Sequence, residues 1–382
     1  MRPLRGTGSG GDSAKTLLKR SACLVFSFEN EGLRCTNYLT GITVASTPIL
    51  VAILNFFDRW RKLKEIQLLL PGYSATSIRR TLRQLLDNTL LIEKDSAQAK
   101  REESLAPWNV WEVEARFFHF ATKHAFRLGS PLPDETEFSR ALLRKGPQPE
   151  QIKRYRGAGR VALPRPASSL TSEFPRVLLA RRTLRQFGRG RLSLERLSVL
   201  LWLTWGVTGR LRWPGLGKLL LKTSPSGGAR HPIEAYCWAL RVTDLPRGVY
   251  HYRGDGHYLE RLDNGAESAR VVELCAGQEW VRDCAALFVM TGVVRRVMWR
   301  YHFSRAYRTV LLEAGHFCQT FCLVATWLGL APFCTAALVD PEIEADLGLD
   351  GSSESVLYAA GVGVRDADAT APSRGLRGSG RQ

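Results

Sequence analysis

Arg181, Arg182, Thr183 and Arg185 crowd into the run VLLARRTLRQFGRG. Three guanidinium groups and a hydroxyl this close offer the planar, forked donors that suit a phosphate dianion, although taken alone they read equally well as a surface basic patch. A second run, KTSPSGGARHPIEAYCWAL, places Ser224, Pro225, Ser226, Gly227 and Gly228 just before an apolar, strand-like stretch. Small residues there let backbone amides approach a flat ligand closely. The run has neither the G-x-x-x-x-G-K spacing of a phosphate loop nor a G-x-G-x-x-G turn. Eight cysteines stand at 23, 35, 237, 275, 284, 318, 322 and 334, with no C-x-x-C pair. Cys318 and Cys322 share a face of one helical stretch with His316 nearby, a spacing that favours buried thiols over a zinc site. Glu313 and His316, three residues apart, could hydrogen-bond to each other, and no Ser-His-Asp nucleophile pattern stands out.

The elements that would position these runs follow from periodicity. Two short strands are expected at 22–28 and 33–39. Helices are expected at 49–57 and 63–70, with a third behind Ser74 or Ser77 whose Ile78, Leu82, Leu85 and Leu86 form one stripe, before a strand at 90–94. Three short helices closing on a strand is the winged-helix order. Arg79, Arg80 and Arg83 lie on the opposite side of the third helix, where a DNA reader carries its groove contacts and where a solvated face would look the same. An aromatic-rich helix is expected at 108–124 and a Pro/Arg/Gly/Ser-rich linker at 131–175. From residue 177 the pattern is α+β: a helix at 194–206, strands at 233–242, 248–253, 258–262 and 287–292, a long apolar helix at 308–328 followed by a strand, and a final strand at 356–362. The domain plan is therefore a flexible basic arm at 1–20, a winged-helix-like domain at 21–100, a helical segment and linker at 101–176, an α+β domain at 177–366, and a disordered tail at 367–382.

A chain of 382 residues that is 45% hydrophobic and 24% charged is a multidomain globular protein, which excludes collagen-like, coiled-coil and wholly disordered classes. Its 54 Lys+Arg against 36 Asp+Glu give +18, spread along the chain without a compact basic block. The charge invites an anionic ligand, but nucleic acid and membrane are not the expected partners. The amino-terminal stretch lacks the apolar core of a secretory signal, and the apolar run 317–339 is broken by Gln319 and Pro332. With its unpaired cysteines the chain is expected to be cytoplasmic.

The order R-R-T-x-R-x-F, L-S-L-E-x-L, S-P-S-G-G-A-R-H-P-I-E, L-P-R-G-V-Y-H-Y and Y-R-T-V-L-L-E-A-G-H resembles the SagB-type branch of the nitroreductase-like flavoproteins. The likeness covers about residues 177 to 365, with weaker likeness in the F-F-H-F-A-T segment and the amino-terminal region. It implies a mixed sheet flanked by helices, a homodimer, and FMN held at the dimer interface. Carried over by position, it assigns Arg181, Arg182, Thr183 and Arg185 to the FMN phosphate and ribityl chain. Ser224, Pro225, Ser226, Gly227 and Gly228 fall to the isoalloxazine ring, and Gly361, Gly363 and Arg365 to a strand end that returns towards the phosphate.

Members of this branch that act in ribosomal peptide biosynthesis oxidise azolines to azoles, and carry a Lys-Tyr pair just ahead of the Y-R-x-x-L-L-E-A-G-H helix. Here the pair is Arg300-Tyr301. Arginine stays charged at any ordinary pH and cannot act as the base; Arg300 could still stabilise a developing enolate-like anion, or depress the pKa of Tyr301 and leave its phenolate as the base. The implied function is FMN-dependent dehydrogenation of a peptide-derived or carrier-bound substrate, with a cyclase as a potential partner. The alternatives are a nicotinamide-dependent flavin reductase or another flavin oxidase on the same fold, or a winged-helix DNA-binding or scaffold protein.

Overall fold

The computed structural model describes residues 16–29, 32–123, 137, 140, 141, 144, 172–213, 217–263 and 265–365. The tail expected at 367–382, most of the linker at 131–175 and the first fifteen residues of the arm lie outside them. In chain order the elements are β1 (Leu17–Arg20), β2 (Leu24–Glu29), β3 (Gly32–Asn37), β4 (Ile42–Ala45), α1 (Pro48–Phe56), β5 (Arg61–Lys62), α2 (Ala75–Asp87), β6 (Leu91–Glu93), α3 (Ala97–Glu103) and α4 (Val113–Thr122). There follow α5 (Glu173–Ala180), α6 (Leu194–Trp205), β7 (Gly209–Trp213), β8 (Gly217–Leu221), β9 (Ile233–Ala239), β10 (Gly248–Arg253), β11 (Tyr258–Asp263) and α7 (Ser268–Leu274). The chain then forms β12 (Ala286–Val293), α8 (Arg295–Met298), α9 (Tyr307–Trp327), β13 (Leu330–Thr335), α10 (Asp340–Leu347) and β14 (Glu354–Val364). They fall into two compact units, Met1–His124 with His302–Ser304, and Ala125–Tyr301 with Arg305–Gln382.

In the first unit Pro48 opens α1 behind the Thr47 cap, and Ser74 caps α2 by accepting from the Ser77 amide at 3.2 Å. Ile78, Leu82 and Leu85 of α2 bury their stripe against Leu18, Ile53, Phe57 and Leu91, which leaves Arg79, Arg80 and Arg83 exposed. Two expectations need correction. The arm does not extend to residue 20: Leu17–Arg20 is the central strand of the sheet β5-β1-β6, because the apolar pair Leu17-Leu18 sends Leu18 fully into the core. The expected second helix is a 3-10 turn, Leu63–Leu68, in which only Ile66 is buried.

The second unit has three layers around a six-stranded sheet of order β11-β10-β9-β12-β14-β13. Every neighbouring pair is antiparallel, so the mixed sheet expected from the resemblance is corrected in this respect. Parallel pairing among the described residues is confined to the bridge Leu192↔Val242. β12 is buried along almost its whole length because both faces are covered. On one face Phe288 packs with Trp205 of α6 and Phe321 of α9; on the other Leu287 and Val289 join Trp238, Phe333 and the residues of α7 and α10. α9 sends Val310, Ala314, Phe317, Phe321 and Ala325 inward. Leu312 and Trp327 on its outer side, and Phe174 and Leu179 of α5, remain exposed.

Candidate functional site

The small-residue run forms a tight turn after β8. Ser224 is buried and its hydroxyl meets that of Thr320 on α9 at 2.8 Å. The turn itself is a 3-10 element at Gly227–Ala229, in which Gly228 takes φ +60°, and Ala229 and His231 also have positive φ. Left-handed backbone at two non-glycine residues is costly and persists only where neighbours fix it. Here the Ser226 hydroxyl accepts the His231 amide at 2.8 Å, and the Gly227 amide donates to Glu313 Oε1 at 2.9 Å. Glu313, which by its spacing could have paired with His316, turns to the glycine turn instead, almost wholly buried, while His316 is exposed. Burial raises the Glu313 carboxyl above its ordinary range against the opposing Gly227 amide and Ser226 hydroxyl, and among the described residues its Oε2 has no hydrogen-bond partner.

Arg300 and Tyr301 follow α8 and close over this turn. A Cβ on Gly228 would stand 2.9 Å from the Tyr301 hydroxyl and 3.0 Å from Cδ of Arg300. Glycine at this position is therefore what lets both side chains lie against the backbone, and residues more than seventy positions apart in sequence come into contact.

The arginine-rich run takes a different place. α5 ends at Arg181, and the chain continues extended beside β13, with the Leu184 amide donating to Pro332 O at 2.9 Å and Gly188 to Val364 O at 3.0 Å. Arg182 folds back onto the helix end, donating to Leu179 O and Arg181 O, while the Arg185 guanidinium lies 5.2 Å from the Trp280 ring centroid. Arg365, at the end of β14, donates weakly to Leu330 O at 3.4 Å. Arg181, Arg182, Arg185 and Arg365 thus gather at the β13–β14 edge, with Thr183 exposed among them, and none is in an ion pair with a described carboxylate. Gly361 and Gly363 do something else: a Cβ on Gly361 would fall 2.1 Å from the Phe333 ring, and one on Gly363 2.4 Å from that of Phe187. Their missing side chains make room for aromatic packing. Within one chain, no hydrogen bond or ion pair between described residues joins the arginine edge to the glycine turn.

Sequence reasoning missed two features. Cys334, on β13, joins Cys318 and Cys322 in a sulfur hydrogen-bond cluster; donation from these thiols lowers the Cys334 pKa, with Arg181 contributing. Among the described residues no group of ligands could hold a metal. The other is His231, buried beside the turn and pushed down to about 4 by desolvation and by Lys222, Arg296 and Arg230. Because it is neutral when folded and binds a proton near pH 6.5 when unfolded, its contribution is intact above pH 6.5 and is lost as pH falls towards 4. We expect wild type to lose about 3 kcal/mol more stability than His231→Gln between pH 7 and pH 4 in denaturant titrations. Equal losses would remove His231 from the acid response.

The FMN implied by the resemblance fits the arginine edge, where four arginines without a described carboxylate partner match a phosphate dianion. Residues 178–364 match the model of the Nitroreductase family. The putative nitroreductase MJ1384 of Methanocaldococcus jannaschii is 29% identical over 44% of this chain and 80% of its own length. The trifolitoxin-processing protein TfxB of Rhizobium leguminosarum bv. trifolii is 30% identical over 44% of this chain, which spans only 46% of TfxB. A chain from the E. coli microcin synthetase McbBCD complex with truncated pro-MccB17 bound shares the fold, with TM-score 0.50, 21% identity, and coverage of 72% of this chain and 99% of that one. Among the described residues no helix is long and apolar enough to cross a membrane. The α+β architecture, the arginine edge, the glycine turn and the family match agree, and residues 178–364 form a nitroreductase-family domain.

Proposed function

We propose that the protein is an FMN-dependent dehydrogenase of the SagB type, acting as a cytoplasmic homodimer on a peptide-derived or carrier-bound substrate in natural-product biosynthesis, by azoline-to-azole chemistry and with a cyclase as partner. The observation that carries this is the Gly227–Gly228 turn with Tyr301 and Arg300 laid against it. The family is one of oxidoreductases, and the similarity to a trifolitoxin-processing protein supports a peptide-derived substrate. The exposed apolar residues Leu312 and Trp327 of α9 and Phe174 and Leu179 of α5 support burial against a second copy. Such a dimer lets the arginine edge of one protomer and the glycine turn of its partner serve one flavin.

In this reading Arg181, Arg182, Thr183, Arg185 and Arg365 hold the phosphate and ribityl end, and the backbone of 224–228 borders the ring. Gly361 and Gly363 support that strand end through packing. FMN supplies a two-electron acceptor when bound. The chain's part is proton handling: Tyr301 Oη removes the proton from the substrate carbon, and the Arg300 guanidinium, always charged, stabilises the anion that develops there. Glu313 fixes the turn through the Gly227 amide.

Incubation with a thiazoline or oxazoline peptide is expected to give a product lighter by two hydrogens in mass spectrometry. Arg300 in place of lysine favours a second reading, a reductase drawing on a nicotinamide donor or a flavin oxidase with another substrate. Rapid flavin reduction by NADPH but not by azoline in stopped flow would select the reductase. The exposed Arg79, Arg80 and Arg83 motivate a DNA-binding or scaffold role, which gel shifts at physiological salt test. Arg182→Ala is expected to weaken FMN retention about tenfold or more in equilibrium dialysis, since a charge-assisted phosphate contact contributes about 1.5–3 kcal/mol. Unchanged retention would remove Arg182 from the clamp.

A further inference from the structure

Seven of the eight cysteines are buried, and Cys334 alone is half-buried. Burial raises the thiols of Cys23, Cys35, Cys237, Cys275 and Cys284 above their ordinary range, which keeps them protonated and inert. Cys334 has other surroundings.

On β13 Phe333 turns into the core that it shares with α7 and α10, so strand alternation turns Cys334 to the opposite face, along which α9 packs. One turn apart on the inner side of α9, Cys318 and Cys322 meet it there, both buried. The three sulfurs hydrogen-bond with one another, and the Tyr358 hydroxyl of β14 joins them. Arg181, at the end of α5, adds a positive charge that acts on Cys322 and Cys334.

This setting favours one ionised sulfur. Donation from two thiols and a phenol, with Arg181, holds the Cys334 thiol below its ordinary range against the opposing effect of burial, while Cys318 and Cys322 stay protonated. A thiolate attacks an oxidant, and a neighbouring thiol resolves the product. Metal binding is not the alternative, because among the described residues no group of ligands could hold a metal.

Geometry also selects the pair. Residues four apart on a helix have Cβ atoms about 5–6 Å apart. A disulfide requires about 3.5–4.5 Å. Cys318 and Cys322 therefore cannot be joined without distorting α9, whereas Cys334 comes from a different element.

We propose that Cys334 is a peroxide-reactive cysteine that forms a disulfide with Cys318 or Cys322, a redox-modification site at the arginine edge. The Cys334 sulfur attacks one oxygen of hydrogen peroxide, the O–O bond breaks, and hydroxide leaves to give a sulfenic acid. The α9 thiol then attacks that sulfur, its proton goes to the departing oxygen, and water leaves. In sum, two thiols and one hydrogen peroxide give one disulfide and two waters. Oxidation ties α9 to β13 and removes the negative charge beside Arg181. The step needs no flavin, although Arg181 also belongs to the FMN assignment.

The test is peptide mapping of the full chain, reduced, freed of reductant, treated with hydrogen peroxide while folded, and alkylated in denaturant, with flavin content measured on each sample. A linked peptide joining Cys334 to Cys318 or Cys322, two hydrogens lighter than its parts and reversed by dithiothreitol, is expected within a single chain on a non-reducing gel. Cys334 is expected to be consumed at least tenfold faster than Cys237 or Cys284. Cys334→Ser, shown folded by its melting temperature, is expected to lose the linked peptide and leave both α9 thiols free. The proposal is overturned if wild type gives no such peptide, if Cys334 reacts no faster than Cys237, if the bond joins two chains, or if Cys318 and Cys322 still link in Cys334→Ser. Should that variant fail to fold, the wild-type map decides alone. A sample that forms the bond yet neither holds nor takes up FMN would sink the dehydrogenase reading and leave this one standing.

Discussion

Tyr301→Phe is expected to retain bound FMN and to lower turnover by about 10²- to 10⁴-fold, the range that loss of a positioned proton acceptor produces. The side chain stands where a Cβ on Gly228 would be only 2.9 Å from its hydroxyl, so the phenol is packed against the turn and its ring can be kept while the oxygen is removed. Arg300, which shares the same contact, cannot replace it as a base because guanidinium does not give up its proton. Single-turnover flavin reduction checks this: the rate should fall in Tyr301→Phe while the flavin spectrum and its affinity stay those of wild type. Full activity would remove Tyr301 from the mechanism. Arg300→Lys, by contrast, is expected to retain activity, since it keeps a positive charge at the same place.

Gly361→Val should destabilise the second unit by about 3 kcal/mol or more, through overpacking and not through loss of the cofactor. A Cβ there would overlap the Phe333 ring, with contacts of 2.1, 2.4 and 2.9 Å, and Phe333 is itself fully buried opposite Gly361 in the β13–β14 ladder. β14 cannot yield without disturbing β12, which pairs with it over eight positions. Partial rescue by Phe333→Ala in a double-mutant cycle would identify the collision as the cause. If the single variant melts like wild type but loses FMN, the glycine touches the cofactor directly and the packing role is wrong.

Much of the second unit was legible from periodicity. β10 was expected at 248–253 and forms there, and α9, expected at 308–328, occupies Tyr307–Trp327, because long alternating or amphipathic runs bounded by turn residues leave little choice. The hairpin β7–β8 was not anticipated: its residues mix charge with leucine, and four of the first strand's five are exposed, Leu211 and Trp213 among them, so no buried face marks it as a strand. The arm was drawn too long because four residues, Leu17–Arg20, are too few to show a period, and only pairing with β5 and β6 makes them a strand. At the site, residue types announced the arginine run and the glycine turn, but not what lies beneath them. Glu313 reads as one more position on an apolar helix until Gly227 is found donating to it from 86 residues away. His231 could be seen in sequence only as the residue before a proline; its burial and unpartnered nitrogen are tertiary facts. Gly361 and Gly363 mislead in the other direction, since a glycine at a strand end suits a phosphate and an aromatic ring equally well, and only Phe333 and Phe187 decide between them.

The most direct measurement is the visible absorption spectrum of the purified full chain, before and after incubation with FMN and gel filtration. The account predicts a yellow protein with a flavin band that elutes with a homodimer, released as FMN on denaturation and diminished in Arg182→Ala. A colourless preparation that takes up no FMN, although folded and dimeric, would contradict the assignment of the arginine edge and the glycine turn to a flavin.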